Sequence, residues 1–571
     1  MINNVLMGSL YLDEFTEVYN WSGKPLPPKK LYKLKVGDLV RLMILDSDNP
    51  EWWEKVYVKI IKIDGEKLYG EVHPIYREIP RYYVHMDGEI IEFERKNIFE
   101  IPLIFNKYNK TPSSITEIKI SPPNKEELEK ISELEILVDS KLNNLSGKEL
   151  FEEYSALGYF CKEGYVNALG LDLKELEIFP EVICDFSELE HLHIFCGDFK
   201  EIPPRISKLS NLKHLEIISS YNLISLPDNI DQLEGLTYLK FVSCNLPVLP
   251  DTIGNLKNLK TFSLRLCKTR TLPNSIGILE NLEELYCYTG NLTSVPRNIG
   301  ELSNLKILDF YSNNLNTIPE SIGDLYNLQE LNLGSNLLSE IPFSIGNLSN
   351  LKILDLSENQ LTELPLFIGD FKNLNELFLD GNKFTTIPPS IGTLKNLVTL
   401  SLDLNKLISL PPSIGDLKNL ETLSLDGNDL TLLPLTINNL KNLESLYLQN
   451  NDLWYLPSRL KGLKSLEVLL LDNNNLSVLP PDIGKLSNLH RLIIDNNRLT
   501  SIPKSIGKLK NLRELYLRDN QLTEIPREII KLKKLESSKL KGNKIEYLPT
   551  GIEKLKDLYI DILDKKGLEK V

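Results

Sequence analysis

The sequence predicts an α/β solenoid, a curved stack of short repeats with a parallel β-sheet on its concave face, preceded by a small, mostly β N-terminal domain. Two observations predict this fold. A unit rich in leucine and asparagine recurs every 23 residues through most of the chain, and such a period is the sequence signature of a repeat architecture. Residues 1–105 lack the period and alternate polar with apolar residues between glycine-containing turns, as antiparallel strands do.

The period is clearest from one proline in each unit. Seventeen such prolines occur, and fifteen of their sixteen spacings are 23 residues, whereas the interval from Pro203 to Pro227 is 24. A chain of 571 residues is too long for one compact core but ordinary for a solenoid. The prolines are Pro180, Pro203, Pro227, Pro250, Pro273, Pro296, Pro319, Pro342, Pro365, Pro388, Pro411, Pro434, Pro457, Pro480, Pro503, Pro526 and Pro549.

Residues 351–373, LKILDLSENQLTELPLFIGDFKN, represent the unit, and Leu351 defines position 1 of every repeat. The L-x-x-L-x-L segment predicts a short strand whose alternate residues face the core, and stacking places neighbouring strands about 4.8 Å apart in a parallel sheet. Pro365 at position 15 fixes the backbone as it leaves the strand. Gly369 at position 19 permits a tight return on the convex side.

Asparagine at position 9 recurs in eleven consecutive units. A buried amide must find hydrogen-bond partners, so these side chains predict a ladder to the turning backbone of their own and the neighbouring unit. Cys244 and Cys267 occupy position 9 in two earlier units and are interpreted as structural thiols. Lys174, Gly197, Tyr221 and Gly290 replace the asparagine elsewhere, so the first third is expected to be less regular. The asparagines are Asn313, Asn336, Asn359, Asn382, Asn405, Asn428, Asn451, Asn474, Asn497, Asn520 and Asn543.

The segments outside the repeats suggest further boundaries. Asp64-Gly65 and Asp87-Gly88 are strong hairpin signals and favour a barrel-like domain over residues 1–105. Residues 106–145 are expected to be a connector that contains a charged helix. The S-x-x-E pattern from Ser146 to Glu149 is a capping box and predicts a helical cap over residues 146–165. The repeats then fill residues 166–563, ending near Ser538 and Asp561, where core leucines are missing, and a charged tail follows over 564–571.

Composition restricts the class of protein. The net charge is −14, from 65 Lys and Arg against 79 Asp and Glu, and a general nucleic-acid binder would instead need a basic surface. No stretch approaches the roughly 18 apolar residues of a membrane span, and the first residues lack the basic segment of a secretory signal. The six cysteines form no C-x-x-C pair, so a reducing compartment is expected. These features favour a cytoplasmic, monomeric protein.

The complete unit, L-x-x-L-x-L-x-x-N-x-L-x-x-L-P-x-x-I-G-x-L-x-N, resembles the leucine-rich repeat. Its 23-residue length and LPxxIG half are similar to the subclass seen in plant intracellular Ras-group proteins, animal Ras-binding scaffolds and bacterial cytosolic repeat proteins. The resemblance covers about residues 166–563, or 17 units. It implies a non-enzymatic protein-binding scaffold without naming a partner, because the repeat occurs in proteins with many partners. The cysteine-knotted cap of extracellular members is absent from the sequence, which favours an intracellular location.

Variable strand positions predict the binding surface, because they face the concave side. Acidic residues recur there, aromatic residues lie between them, and lysines such as Lys418 and Lys441 gather just before the strands. Stacked like charges cost stability, and a protein partner with a basic surface would relieve that cost. The alternative is that aspartate only suits local turn hydrogen bonding. The predicted partner-binding residues are Asp309, Tyr311, Asp355, Glu358, Phe378, Asp380, Asp403, Asp426, Tyr447, Asp472, Asp495, Tyr516 and Asp519.

The sequence shows no catalytic constellation. It contains no phosphate-binding glycine loop, no G-x-S-x-G and no H-E-x-x-H, so neither an enzymatic activity nor a cofactor is expected. His191, His193 and His214 should lie on adjacent strands near Glu216, within reach of a common metal ion. The favoured interpretation is nevertheless a partly exposed polar patch. A second hypothesis for function is that residues 1–105 are the effector or enzymatic module and the repeats only target it.

Overall fold

The computed structural model describes residues 121–145, 157–174, 176–546, 548–552 and 555, together with the backbone of residues 39–45, 53–64, 67–72, 90–94 and 559–561. The chain divides into two units, Met1–Glu117 and Ile118–Val571. The second unit contains the repeats.

Four strands of the first unit form an antiparallel sheet in the order β1-β2-β3-β4. Asp64 of β2 pairs with Lys67 of β3, so two residues join these strands, as the Asp64-Gly65 signal predicts. The Asp87-Gly88 turn, any closure into a barrel and the side chains on which an effector role would rest lie outside the described residues. The strands are β1 (Leu39–Leu45), β2 (Trp53–Asp64), β3 (Lys67–Val72) and β4 (Ile90–Glu94).

A charged helix, α1 (Lys125–Leu137), begins the described part of the second unit, as predicted. The Asn124 side chain caps it by accepting from the Glu127 amide at 3.0 Å. The helix is more than a connector, because its buried face belongs to the same hydrophobic core as the repeats. Lys130 Nζ also donates to the Asp185 carbonyl in the first repeat at 2.9 Å. Helix α1 therefore covers the end of the solenoid.

The predicted helix over residues 146–165 is not formed in its described part. A hairpin of β6 (Gly158–Lys162) and β7 (Tyr165–Asp172) occupies that region, and residues 146–156 lie outside the description. Glu163 and Gly164 form the two-residue turn, with φ of 54° and 91°. Both residues are in the left-handed region, which matches the right-handed twist of the paired strands. The predicted helix is therefore wrong for residues 158–165, which form this hairpin.

From β7 onwards, each described strand pairs in parallel with the next one along the chain. Partners are 23 residues apart, with two exceptions. His214 of β9 pairs with Tyr238 of β10, 24 residues later, and Ser537 of β23 pairs with Tyr559 of β24, 22 residues later. None of the described registers joins β24 to β5, so the sheet is open. The further strands are β5 (Asn143–Asn144), β8 (His191–Phe195), β9 (His214–Ile218), β10 (Tyr238–Val242), β11 (Thr261–Arg265), β12 (Glu284–Tyr288), β13 (Ile307–Asp309), β14 (Glu330–Asn332), β15 (Ile353–Asp355), β16 (Glu376–Phe378), β17 (Thr399–Ser401), β18 (Thr422–Ser424), β19 (Ser445–Tyr447), β20 (Val468–Leu470), β21 (Arg491–Ile493), β22 (Glu514–Tyr516), β23 (Ser537–Lys539) and β24 (Tyr559–Asp561).

The proline step of most repeats begins a short 3₁₀ helix on the side opposite the sheet. Pro411, for example, has φ of −66°, and its carbonyl accepts from the Ile414 amide at 3.0 Å. The 3₁₀ helices are Glu181–Asp185, Pro204–Lys208, Asp228–Gln232, Asp251–Asn255, Asn274–Ile278, Arg297–Glu301, Glu320–Asp324, Phe343–Asn347, Leu366–Asp370, Pro389–Thr393, Pro412–Asp416, Leu435–Asn439, Pro481–Lys485, Lys504–Lys508 and Arg527–Lys531.

The glycine at position 19 is explained by packing between repeats. Gly323 lies in the second half of its 3₁₀ helix, and a Cβ there would collide with the carbonyl oxygen of Ser344 in the next repeat. The close approach of neighbouring turns therefore requires glycine, although its φ is not in the left-handed region.

The predicted asparagine ladder is confirmed. Asn405 Nδ2 donates to the carbonyls of Leu379, Leu402 and Asp403 at 3.0, 3.1 and 3.1 Å, and its Oδ1 accepts from the Phe384 amide at 3.1 Å. Leu379 and Phe384 belong to the preceding repeat, so each amide links two units. The position-9 asparagines from Asn313 to Asn520 are buried and Asn543 is half-buried, each with bonds of this kind.

The structural role of Cys244 and Cys267 is also confirmed. Cys267 Sγ lies 3.6 Å from the Phe241 carbonyl and 3.4 Å from the Arg265 carbonyl, the two places where an asparagine amide would donate. Both thiols are buried.

Tyr221 does not occupy position 9, contrary to the sequence alignment of the units. It is 65% exposed, and Ser220 takes the buried place, where its hydroxyl lies 3.2 Å from the Gly197 amide. The extra residue of the 24-residue unit causes this shift. The first third of the repeats, which the sequence predicts to be less regular, differs from the rest mainly in the length of its strands. Strands β8–β12 have five residues each, and β13–β23 have three.

Candidate binding face and histidine cluster

The constant offset between strands aligns equivalent side chains on the concave side. The thirteen predicted residues all lie between β13 and the end of the repeat that contains β22. Eleven are half-buried, while Glu358 and Asp519 are exposed. They occupy three rows: position 5 (Asp309, Asp355, Phe378, Tyr447 and Tyr516), position 7 (Tyr311, Asp380, Asp403, Asp426, Asp472 and Asp495) and position 8 (Glu358 and Asp519).

The asparagine ladder diverts one hydrogen bond of the sheet. In a parallel ladder with this register, the amide at position 7 would donate to the position-6 carbonyl of the preceding repeat. The Leu379 carbonyl, at position 6, accepts from the Asn405 side chain instead. The Asp403 amide, at position 7, donates to Asp380 Oδ1 at 2.7 Å. The carboxylate thus satisfies an amide that the ladder would otherwise leave unpaired.

Other repeats use the same device in two forms. The Asp426 and Arg518 amides donate to the position-7 carboxylates of Asp403 and Asp495, each at 2.7 Å. In three repeats the acceptor is instead at position 5 of the same strand, and it serves the amide two residues later. These acceptors are Asp309, Asp355 and Asn332. Local hydrogen bonding therefore accounts for the position of several acids, as the alternative interpretation holds.

Several carboxyl groups of the acidic rows are partly desolvated, and this raises their pKa values. Burial raises the pKa of Asp309, Asp403 and Asp472 to about 6. Burial also raises the pKa of Asp355, Asp380 and Asp495 above the ordinary range, against hydrogen bonds that lower it. Neighbouring carboxylates contribute to several of these shifts, for example Asp380 and Asp426 to that of Asp403. The face is a column of partly desolvated carboxyl groups that repel one another.

The charge changes sign near the last described strands. Arg518 takes position 7 after Asp495, and Lys539 Nζ lies 4.1 Å from the centre of the Tyr516 ring. Arg491 forms a two-bond pair with Glu514, with both nitrogen–oxygen distances at 2.8 Å. The acidic part of the concave face therefore runs from Asp309 to Asp495, and Tyr516 lies at its basic end.

The predicted line of lysines before the strands is exposed, and several of its members bond to the 3₁₀ helices. Lys372 and Lys395 donate to the carbonyls of Gly369 and Gly392 at 2.6 Å. Lys510 bonds to the Gly507 carbonyl at 2.9 Å in the same way. These ammonium groups satisfy carbonyls at the ends of short helices.

Two features of this face were not predicted. Position 8 has a left-handed backbone in repeat after repeat, with φ of 53° at Leu404 and 51° at Thr289. Its sequence signal is a bias to small or polar residues, as at Gly381, Gly427 and Asn450. The asparagine at position 23 forms a second ladder, in which, for example, Asn373 Nδ2 donates to the Ser349 carbonyl at 2.9 Å. Its recurrence in the unit was a usable signal for that ladder.

The three histidines come together on β8 and β9, as predicted. His193 Nδ1 lies 3.1 Å from Glu216 Oε2, and His214 Nε2 lies 3.8 Å from the same oxygen. His191 is farther away, with its ring centre 5.6 Å from that of His214. Lys240 Nζ pairs with Glu216 Oε1 at 2.7 Å. Cys196, directly after β8, is an exposed free thiol.

Electrostatics favour the neutral rings of His191 and His214 and the ionised carboxylate of Glu216. Burial lowers the pKa of His191 to about 3 and also lowers that of His214. Burial alone would raise the pKa of Glu216, but hydrogen bonds with His193 and His214, together with Lys240, hold it well below its ordinary value.

The repeat geometry agrees with comparisons to known proteins. The model of the leucine-rich repeat region matches residues 228–317 and 316–406, and two further leucine-rich repeat models match 487–545 and 465–486. A leucine-rich repeat protein of Leptospira interrogans is 35% identical, with a TM-score of 0.59, over 66% of this chain and 96% of that protein. The chain belongs to the leucine-rich repeat family.

More distant solved structures share the fold. The Arabidopsis receptor kinase HAESA, solved with the peptide hormone IDA and a co-receptor, is 27% identical, with a TM-score of 0.54, over 72% of this chain and 76% of that one. A TDR receptor is 27% identical, with a TM-score of 0.55, over 69% and 75%. No curated protein matches the chain. The family supports a protein-binding repeat scaffold. Among the described residues, no helix has the length and apolarity needed to cross a membrane.

Proposed function

We propose that this protein is a non-enzymatic interaction protein whose concave face, from Asp309 to Asp519, binds a protein partner with a basic surface. Such a partner would be a protein rather than a nucleic acid, because the face is acidic. The receptor kinase HAESA, which shares the fold, was solved with a peptide hormone and a co-receptor. That example supports recognition of peptide or protein by this type of solenoid.

One observation carries the proposal. Asn332 serves the Gly334 amide at 3.0 Å with a neutral side chain, and Asp309 and Asp355 serve equivalent amides with a carboxylate. The fold therefore needs an acceptor at this place but not a negative charge. Partly buried, mutually repelling carboxyl groups are costly, and a cationic partner would offset that cost. Since a neutral asparagine would serve the backbone equally well, the negative charge of these aspartates supports a basic partner.

Acids and aromatic residues should have separate roles in binding. Phe378 and Tyr447 are half-buried in the same row and offer rigid contact area, as hot-spot residues do. Tyr516 is the third proposed anchor and lies at the basic end of the face. The carboxylates should accelerate association by steering the partner, an effect that salt screens.

The test uses substitutions that keep the hydrogen-bond acceptor. A partner would first be captured with the full chain and identified by mass spectrometry. Replacing Asp403, Asp426 and Asp472 together with asparagine should slow association at low salt and have less effect at high salt. Tyr447→Ala should speed dissociation and cost about 2 kcal/mol of binding free energy.

Matched controls lie on the lysine line. Lys418→Ala and Lys441→Ala should change the association rate and the affinity little, because these side chains are away from the acidic rows. Loss of binding in the lysine variants, with no effect of the concave substitutions, would show that the binding face has been assigned wrongly.

We further propose a reducing, cytoplasmic location and a monomeric state. All six cysteines are free thiols, and five are buried in the described fold. Thiol counting in denaturant without reductant should return six groups from native material. A count of two or four would indicate disulfides and contradict this location.

A further inference from the structure

We propose that His193, His214 and Glu216 form a binding site for one divalent transition metal ion of the Zn²⁺ type. One ligand atom from each residue lies within 4.8 Å of the others. The parallel register pairs His193 of β8 directly with Glu216 of β9. His214 precedes Glu216 by two residues and so faces the same side of its strand. The site lies on β8 and β9, separate from the acidic face that begins at β13, and does not depend on the proposed function.

The distances are close to those of a metal site. Glu216 Oε2 is 3.1 Å from His193 Nδ1 and 3.8 Å from His214 Nε2. Ligand atoms bound tetrahedrally at about 2.0–2.1 Å from Zn²⁺ lie about 3.3 Å apart. Small side-chain rotations would therefore bring the three atoms to bonding distance. Two imidazoles and one carboxylate are a ligand set that Zn²⁺ accepts in sites with an open fourth position.

The surrounding residues hold these ligands in place. Glu216 is 3% exposed and His193 13%, so solvent competes little for their ligand atoms. The His214 ring stacks on Tyr238 at 4.0 Å and on His193 at 4.8 Å, which restricts its rotation. Lys240 Nζ holds Glu216 Oε1 at 2.7 Å and leaves Oε2 directed at the imidazoles. Partners of this kind orient ligands in metal sites.

Lys240 also sets the expected strength of the site. Its ammonium group would lie near the bound ion and repel it, so the affinity should be lower than in a site with the same ligands and no neighbouring cation. Replacing Lys240 with methionine keeps much of the aliphatic side chain and removes the charge. This variant should therefore bind Zn²⁺ more tightly than the unmodified protein, by at least about tenfold.

The experiment is a titration of the full chain with Zn²⁺ by calorimetry, repeated with Co²⁺ for its visible absorption. We expect one saturable equivalent and a tetrahedral Co²⁺ spectrum. His193→Gln and His214→Gln should each weaken Zn²⁺ binding by at least about 100-fold. The matched controls are Cys196→Ser, which removes an exposed thiol, and His490→Gln, which removes a histidine directly before β21. Both controls should bind like the unmodified protein, and thermal melts would verify that every variant folds.

Three results would overturn the proposal. The first is the absence of a saturable equivalent in the folded protein. The second is one equivalent that survives the double substitution of His193 and His214, because the ion would then bind elsewhere in the chain. The third is a Lys240→Met variant that folds and has unchanged affinity, since the ion would then be remote from Glu216.

Discussion

The repeats before and after Asn313 build one continuous sheet with different hydrogen bonding. In β8–β12, where position 9 is not asparagine, the strands have five residues and extend through position 7. In β13–β23 the strands have three residues. There the position-9 asparagine donates to the position-6 carbonyl of the preceding repeat, which would otherwise accept from the position-7 amide.

This difference explains where the acids are. At position 7 of the described five-residue strands, no side chain accepts a hydrogen bond from a backbone amide. These residues are Phe195, Ile218, Val242, Arg265 and Tyr288. After Asn313, the same row becomes rich in aspartate, and six of its amides donate to an Asp or Asn side chain. The acidic surface is therefore coupled to the asparagine ladder, and the two should be disturbed together.

The largest expected effect comes from removing one amide of the ladder. Asn405→Ala would leave up to three carbonyls and the Phe384 amide without their partner and should lower the free energy of unfolding by about 1–3 kcal/mol. Cys267→Ala, at the equivalent place before Asn313, should cost less, because a thiol is a weaker donor. Urea unfolding of both variants measures the difference, and an equal or larger cost at Cys267 would contradict it.

The second effect is on the pH dependence of stability. The pKa of Asp403 is about 6 in the folded protein, owing to burial, and about 3.9 when unfolded. The folded state therefore binds more protons between about pH 4 and 6, so the contribution of this carboxyl group is greatest at low pH and is lost as pH rises through 6. The free energy of unfolding of the unmodified protein, measured relative to that of Asp403→Asn, should therefore fall by about 1–2 kcal/mol from pH 4 to pH 7. A pH-independent difference in urea midpoints would refute this.

The third effect distinguishes two roles of Asp403, that of a hydrogen-bond acceptor and that of a negative charge. Asp403→Ala removes the acceptor of the Asp426 amide and of the Ser424 hydroxyl and should cost about 1 kcal/mol at pH 7. Asp403→Asn keeps an acceptor and removes the repulsion, so it should be neutral or slightly stabilising. Thermal melts at pH 7 compare the two variants. Equal destabilisation by both would mean that the charge itself is needed for folding.

The smallest effect concerns a core residue of β23, near the end of the described repeats. Ser538 is buried at a position that holds leucine in most repeats, and its hydroxyl has no hydrogen-bond partner among the described residues. Ser538→Ala should therefore raise the free energy of unfolding by about 0.5–1 kcal/mol. Ser424→Ala is the matched comparison, because that hydroxyl donates to Asp403, and it should be destabilising. Destabilisation by Ser538→Ala would show that its hydroxyl is satisfied.

Periodicity made most of the solenoid predictable. The spacing of the prolines and leucines determines the parallel register, and a buried amide at position 9 must bond to the backbone, so the ladder followed from Asn405 and its equivalents. The cap was harder, because the S-x-x-E pattern at Ser146 is short, whereas the Glu163-Gly164 turn depends on two left-handed residues. The histidine cluster was predictable from strand register alone. The role of Asp380 was not, since it depends on which carbonyl the neighbouring asparagine occupies.

The bonds of the asparagine ladder span the same sequence distance in each repeat, and this has a consequence for inheritance. Excision of one whole unit, such as residues 374–396, would place Asn405 against the Leu356 carbonyl in place of the Leu379 carbonyl, with the same atoms in contact. The Asp403 amide would lose its Asp380 acceptor, but the ladder bond itself would be kept. Recombination between repeats within the gene can therefore shorten or lengthen the solenoid while the asparagine ladder stays continuous. The length of the concave face is a heritable quantity that changes by whole units, so a lineage could match it to a larger or smaller partner in a single event.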